Sequence, residues 1–137
     1  MTDERPRASP IQVPRAERQI AFRTGISAES RAAAFLIAKG FRILARRWRS
    51  PVGEIDIIAR RRSLLVFVEV KARADAEFGT AAEAVTAWKQ RRLTRMARDY
   101  LTREHIVDRP CRFDVVTVMF DRIEPVIEVY VNAFDAL

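Results

Sequence analysis

The chain has 137 residues, of which 49% are hydrophobic, a length and composition typical of one compact domain. Its 25 Lys and Arg residues exceed the 18 Asp and Glu residues, so the formal net charge is +7. One cysteine and one histidine exclude an intramolecular disulfide and a Cys/His zinc cluster.

The positive charge indicates a polyanionic partner, with nucleic acid first and an anionic membrane surface second, although charge that serves only solubility also explains it. The N-terminal stretch carries Pro6, Pro10 and Pro14 among charged residues and lacks the apolar segment of a secretory signal. No apolar stretch approaches the roughly 20 residues that span a bilayer. We therefore expect a cytoplasmic protein, with a disordered basic arm over 1–24 and one domain over 25–137.

Four patterned segments follow this arm. The stretch "GISAESRAAAFLIAKG" predicts a helix with Ser27 as its N-cap and Gly40 as its stop. In "FRILARRW" apolar residues alternate with basic ones, which predicts a strand, and a second strand, "EIDIIA", follows a turn. Arg60 to Ser63 form a polar turn into a third strand, "LLVFVEVKA".

The strongest helical pattern is "EAVTAWKQRRLTRMARDYL". Its apolar residues recur at helical spacing and predict one buried side: Val85, Trp88, Leu93, Met96, Ala97, Tyr100 and Leu101. Two strands, "CRFDVVTVMF" and "VIEVYVNAF", come next, with Cys111 as a buried strand residue. The order α-β-β-β-α-β-β predicts an α/β or α+β domain with a mixed sheet.

Strands two and three carry acidic residues among apolar ones, where an isolated charge is costly to bury. Side-chain alternation allows Asp56 and Glu69 to share a face of the hairpin. Pairing Ala59 with Leu64 sets Glu69 opposite Glu54 and diagonal to Asp56, and a slip of two residues sets it directly opposite Asp56. In either register, carboxylates cluster within a few ångströms.

Such a cluster is mutually repulsive unless a cation or a shared proton lies between its members. With the ammonium of Lys71 nearby, it suits a hard divalent cation and a water to be activated. The alternative is an antiparallel sheet with a wet outer face, on which Glu69 and Lys71 are solvated. Ile58 and Phe67 on the same face favour a strand that is covered on both sides.

The spacing Asp, 12 residues, Glu-Val-Lys matches the Asp…(Asp/Glu)-x-Lys signature of restriction-endonuclease-like nucleases. With "GISAESRAAAFLIAKGFRILARRWR", "GEIDIIA", "VFVEVKAR", "FGTAAEAV" and "RFDVVTV" in this order, the sequence resembles the bacterial YraN family of predicted endonucleases, distant relatives of archaeal Holliday junction resolvases. The resemblance covers about residues 22–120 and implies a restriction-endonuclease-like fold, a central mixed sheet flanked by helices. Arg47 stands where the family usually has Asn.

The resemblance implies a DNA endonuclease that depends on Mg²⁺ or Mn²⁺, with structure-specific cleavage of junctions or branched DNA as its finer form. Asp56 and Glu69 would bind the cation, and the Val70 carbonyl would be a further oxygen ligand. Lys71 would position or polarise the attacking water and offset charge on the scissile phosphate. Glu29 would be an additional ligand or an orienting partner for Lys71, unless it serves only the helix dipole.

Basic residues supply the expected contacts with DNA. Lys89, Arg92 and Arg95 lie three apart along one side of the second helix, where they either follow a phosphate backbone or form a solvated face. Arg47 and Arg49 add positive charge near the site. Because no base-reading module is present, we expect recognition of DNA through its backbone and shape. We also expect no membrane partner, and a homodimer as one form of the protein.

The rival hypothesis is a non-catalytic nucleic-acid-binding protein that keeps the same fold as a scaffold. The joint presence of Asp56, Glu69 and Lys71 favours the enzyme. A role at a membrane surface ranks third, because the basic helix has no exposed apolar face free of core packing.

Two further acidic residues have less specific expectations. Glu54 belongs either to the site or to a salt bridge between strands, and Asp114 is expected to pair with Arg112 or another basic residue. If Asp56 and Glu69 repel each other, neutralising either one is predicted to stabilise the metal-free protein.

Overall fold

The computed structural model describes residues 15–73, 85–120 and 124–134, with side chains described from residue 27 onward. Its elements are α1 (Arg15–Ala38), β1 (Arg42–Ser50), β2 (Gly53–Arg61), β3 (Leu64–Arg73), α2 (Ala87–Arg103), β4 (Cys111–Met119) and β5 (Val126–Tyr130). This order confirms the predicted α-β-β-β-α-β-β succession. Within these described ranges, no helix is long and apolar enough to cross a membrane.

The strands form one five-stranded sheet in the order β1-β2-β3-β4-β5. Neighbouring strands are antiparallel except β3 and β4, which are parallel. A parallel pair needs a crossover connection, and α2 lies in it. A mixed sheet with helices against it confirms the predicted fold class and is consistent with a restriction-endonuclease-like domain.

The two helices pack on opposite faces of the sheet, and each face has its own apolar cluster. On the first face, Ala28 and Ala32 of α1 are fully buried against a layer that includes Val66 and Val68. Small side chains let the helix lie close to the strands. On the second face, residues of α2 cover Phe67. Successive β3 side chains therefore enter different clusters, which is the pattern of a strand covered on both sides.

α1 begins at Arg15, well before the predicted N-cap Ser27. Of the predicted arm, residues 1–14 lie outside the described residues, and the rest forms the start of this helix. After Pro14 the sequence has no proline before the first turn of the sheet, and Gly25 costs a helix only about 1 kcal/mol relative to Ala. The prediction of a disordered arm depended on three prolines in polar sequence, Pro6, Pro10 and Pro14, and all three precede the helix.

The β2–β3 turn is tighter than the predicted Arg60–Ser63 turn. β2 runs to Arg61, which pairs with Leu64, so only Arg62 and Ser63 remain in the turn. Arg62 has a φ of 56°, the left-handed conformation that two-residue hairpin turns favour. The tight turn shifts the strand register by two residues relative to the Ala59–Leu64 pairing.

The first turn of α2 differs from the prediction in what it buries. Thr86 is the N-cap, and its Oγ1 accepts a hydrogen bond from the Lys89 N–H at 3.2 Å. The predicted burial of Trp88 is wrong, since this residue is 61% exposed. Trp88 instead continues the line of Arg92 and Arg95. The helix residues that are buried are Leu93, Met96, Ala97 and Tyr100.

Candidate functional site

The candidate site lies where β2 and β3 separate. Their last backbone pair at this end is Ile57 with Val68, so the next residues along the two strands are Asp56 and Glu69. The slipped register is therefore the one adopted, and the two acids lie opposite each other. Asp56 Oδ2 accepts a hydrogen bond from the Val70 N–H at 2.8 Å. The Asp56 carboxylate thus satisfies a backbone N–H of β3 just beyond the point where its pairing with β2 ends.

The carboxyl group of Asp56 is strongly perturbed. The pKa of Asp56 is raised from 3.8 to about 7, chiefly by burial, and the negative charges of Glu69 and, more weakly, Glu29 act in the same direction. The hydrogen bond from Val70 lowers this pKa but does not offset the other causes. A carboxyl in this environment is only partly ionised near neutral pH unless a cation compensates its charge.

Glu69 is compensated by two ammonium groups. Its Oε1 lies 3.5 Å from Lys71 Nζ and 2.5 Å from Lys89 Nζ. The Glu69 side chain is only 11% exposed, so the alternative of a solvated outer face does not hold here. Burial and the hydrogen-bonded Lys89 lower the pKa of Lys71. Burial opposes the charge of Lys89, but its hydrogen bonds with Glu69 and Lys71 raise its pKa overall.

Asp56, Glu69 and Lys89 face a cavity of about 180 Å³ between the sheet and α2. It is lined by Glu54, Asp56, Glu69, Lys89, Arg92, Leu93 and Met96. The sequence treated Lys89 as one of three phosphate contacts on a helix face, whereas the structure places it inside the site. The signal that could have found it is Thr86, because an N-cap there fixes Lys89 in the first helical turn.

Glu29 lies at the same end of the sheet. It is buried in α1, and its Oε1 lies 3.2 Å from Arg46 Nε and 3.5 Å from Arg47 Nε. Its charge contributes to the raised pKa of Asp56. The contacts described for Glu29 are with arginines rather than with Lys71, and its role as a metal ligand or orienting partner stays a prediction.

Arg47, where the sequence departs from the family pattern, has a φ of 49°. This left-handed conformation is uncommon for residues other than Gly, and Asn is among the side chains that tolerate it best. An Asn at this position would satisfy the backbone without any chemical role. In this chain the Arg47 guanidinium instead adds a second cation beside Glu29.

Glu54 forms the salt bridge between strands that was one of its two expected roles, and its role in the site stays a prediction. It lines the cavity of the carboxylates, and its Oε1 accepts a hydrogen bond from Arg49 Nε at 2.8 Å. The predicted DNA contact Arg49 is thus engaged in a surface ion pair within β1 and β2.

Asp114 lies away from the site and has a structural role. Its two oxygens accept hydrogen bonds from Arg112, each at 2.9 Å, which confirms the predicted pair. Asp114 also accepts the Asn132 N–H at 2.9 Å. Cys111 is half-buried at the start of β4, and burial raises the pKa of its thiol, so its environment is not that of a nucleophile.

Asp56 and Glu69 have the donor chemistry of a magnesium site. Among the residues that the structure describes, no three or more His, Cys, Asp or Glu side chains are grouped as metal ligands. Mg²⁺ is commonly held by one or two carboxylates, because it retains several of its waters. Two opposed carboxyls, one with a raised pKa, therefore fit this cation.

Comparison with known proteins identifies the group of sequences to which the protein belongs. A sequence model of the Uncharacterised protein family UPF0102 matches residues 28–118. The chain belongs to this family, the YraN family. The expectation from the sequence is thus confirmed, and the matched range includes Asp56, Glu69 and Lys71.

Relatives within UPF0102 cover most of the chain. A UPF0102 protein of Rhodopseudomonas palustris (strain BisB18) is 59% identical over 104 residues, which is 74% of this chain and 75% of the relative. One of Bradyrhizobium diazoefficiens is 57% identical over 104 residues, 74% of this chain and 76% of the relative. One of Symbiobacterium thermophilum is 55% identical over 96 residues, 70% of this chain and 81% of the relative.

In metal-free buffer above neutral pH, we expect Asp56→Asn to raise the free energy of unfolding by on the order of 1 kcal/mol or more. The folded-state pKa of Asp56 is about 7, against an ordinary 3.8, so ionising this carboxyl opposes folding. The destabilisation is absent below about pH 4, grows as the pH rises and is complete above the folded-state pKa. An Asn side chain can still accept the Val70 N–H.

Glu69→Gln is the matched control, because Lys71 and Lys89 compensate this second carboxylate. We expect it to lower the free energy of unfolding, which corrects the expectation from sequence that both substitutions stabilise. Urea unfolding with EDTA at about pH 4 and about pH 8 measures both variants. A less stable Asp56→Asn protein at the higher pH would contradict a repulsive carboxyl pair.

Proposed function

We propose that the protein is a metal-dependent endonuclease that hydrolyses phosphodiester bonds in DNA. The observation that carries the proposal is the opposed pair of Asp56 and Glu69, with Lys71 Nζ 3.5 Å from Glu69 Oε1. Carboxylates that hold a cation beside an ammonium group are suited to hydrolysis of a phosphodiester by an activated water. The support for this reaction comes from these side chains.

Asp56 and Glu69 would hold Mg²⁺ or Mn²⁺, with the Val70 carbonyl as a further oxygen ligand. When bound, the cation would supply Lewis-acid polarisation of the phosphate and lower the pKa of a water. Lys71 would steer the proton of the attacking water, and its lowered pKa, caused by burial and by Lys89, favours that task. Glu29 would act as a further ligand or through Lys71.

The positive charge of the protein supports DNA as the substrate. Arg92 and Arg95 follow Lys89 along α2, and Arg46 and Arg47 lie near Glu29. Arginine and lysine contacts with phosphates would make binding depend steeply on salt and little on base sequence. The finer proposal, cleavage of junctions or branched DNA, follows from the likeness to resolvases and from the absence of a base-reading module in the sequence.

A cleavage panel tests the proposed activity. Labelled linear, nicked, flapped and four-way DNA are incubated with Mn²⁺ and with EDTA, using the wild-type protein and Asp56→Asn. We expect wild type to cut at least one of these with Mn²⁺ only and Asp56→Asn to cut none. Salt-sensitive binding to DNA without cleavage in either buffer would favour the rival, a non-catalytic protein that uses the fold as a scaffold.

A further inference from the structure

A second, larger cavity borders the carboxylate site. It has a volume of about 510 Å³ and is lined by Val52, Trp88, Arg91, Arg92 and Arg95, which together we term the tryptophan–arginine groove. Arg92 also lines the smaller cavity that contains Asp56 and Glu69. The groove and the candidate active site are therefore neighbours that share one side chain.

The groove exposes an aromatic ring among cations. Trp88 is 61% exposed, and the Arg92 guanidinium carbon lies 5.3 Å from its ring centroid. The other tryptophan, Trp48, instead packs edge-on against Tyr100 at 5.4 Å between ring centroids. A large apolar ring left accessible beside three arginines offers a flat stacking surface together with positive charge.

Arg92 is held in place rather than free in solvent. Its Nε donates to the Val52 carbonyl at 2.6 Å, which ties α2 to the β1–β2 turn. The guanidinium lies so close to Gly53 that a Cβ at this position would collide with Nη2. A wall fixed in this way loses little freedom when a ligand binds, which favours binding.

We propose that the groove binds a nucleotide of single-stranded DNA, with its base stacked on Trp88 and its phosphates against Arg91 and Arg95. An unpaired base has both faces available, and aromatic stacking beside cationic groups is how proteins bind single strands without sequence preference. A base within a duplex is covered by its neighbours and cannot lie on such a ring. The groove volume is within the range of ligand-binding cavities.

The groove would set the substrate class of the neighbouring site, and in this respect the inference rests on the proposed function. Because Arg92 lines both cavities, a strand that stacks on Trp88 would bring a nearby phosphate towards Asp56 and Glu69. The favoured substrate would then be DNA with unpaired bases next to the scissile phosphate, such as a flap, rather than an intact duplex.

Fluorescence can test the stacking directly, because the chain has only two tryptophans. In Trp48→Phe the remaining tryptophan is Trp88, and in Trp88→Phe it is Trp48. With EDTA present, so that cleavage is not involved, oligothymidylate should quench the emission of Trp48→Phe and leave that of Trp88→Phe nearly unchanged. Equal responses in the two variants would overturn the stacking on Trp88.

Affinity measurements separate the groove from general positive charge. We expect Trp88→Ala to weaken binding of oligothymidylate about tenfold. Arg91→Ala should weaken it and flatten the salt dependence, whereas Arg98→Ala, on the same helix but outside the groove, should change it little. Unfolding curves confirm that each variant is folded.

The outcomes distinguish the groove from the nuclease. Undiminished affinity of Trp88→Ala, tighter binding of a paired hairpin than of oligothymidylate, or equal displacement by polyglutamate would overturn the groove proposal. Each of these results is obtained in EDTA, so it does not bear on metal-dependent cleavage, which the cleavage panel tests separately. Conversely, quenching of Trp88 without any cleavage would support the groove and count against the nuclease.

Discussion

Lys71→Ala is expected to reduce DNA cleavage by about 10²-fold to 10⁴-fold, the contribution typical of a positioned proton-transfer group. Lys71 lies in β3, and its Nζ is 3.5 Å from Glu69 Oε1, beside the proposed cation site. Glu69 keeps Lys89 as a partner in this variant, so the fold should be retained. DNA affinity should change by less than about threefold, because one phosphate contact of several is at stake.

Lys39→Ala is the matched control, since it removes the same side chain from an exposed position at the end of α1. Single-turnover cleavage with Mn²⁺ and binding across a series of salt concentrations are measured for both variants. Lys39→Ala should resemble wild type in both measurements. If Lys71→Ala cleaves as fast as wild type, the assignment of Lys71 to the chemistry is wrong.

Asp114→Asn is expected to lower the free energy of unfolding by about 3 kcal/mol, the lower end of the range for breaking a buried ion pair. Asp114 is 2% exposed and accepts two hydrogen bonds from Arg112 and one from the Asn132 N–H. An Asn amide replaces one acceptor by a donor and leaves the guanidinium without its countercharge. Arg112 retains some access to water, which limits the loss.

Asp99→Asn is the comparison for this prediction. Asp99 pairs with Arg103 at 3.2 Å on the surface of α2, where the two side chains are 33% and 50% exposed. Such a pair contributes less than about 1 kcal/mol. Urea unfolding at neutral pH measures both variants, and a similar small change in each would contradict a structural role for Asp114.

The fold and the acidic cluster could be predicted because their signals are local. Alternation of apolar and polar residues marks a strand, and it also determines which side chains share a face. Asp56 and Glu69 therefore belonged together in either candidate register. The choice between the registers depended on the length of the β2–β3 turn. The two-residue turn requires a positive φ at Arg62, and an arginine gives no sign of that conformation.

The surroundings of the two acids could not be predicted, because they depend on how α2 lies across the sheet. Periodicity gives the direction of a side chain around the helix axis but not which turn is covered by the strands. For this reason Trp88 was assigned to the buried side, and Lys89 to a DNA-binding face. The structure instead exposes Trp88 and pairs Lys89 with Glu69.

The central claim is that Asp56 and Glu69 bind a divalent cation, and a melting experiment in an Mn²⁺ titration tests it most directly. Wild type, Asp56→Asn and the control Glu128→Gln are compared, since Glu128 is an exposed carboxylate that bonds only the Tyr130 hydroxyl among its described contacts. A cation that binds only the folded state raises the Tm by mass action. We predict a rise in Tm for wild type and Glu128→Gln and none for Asp56→Asn; equal rises in all three proteins would contradict the claim.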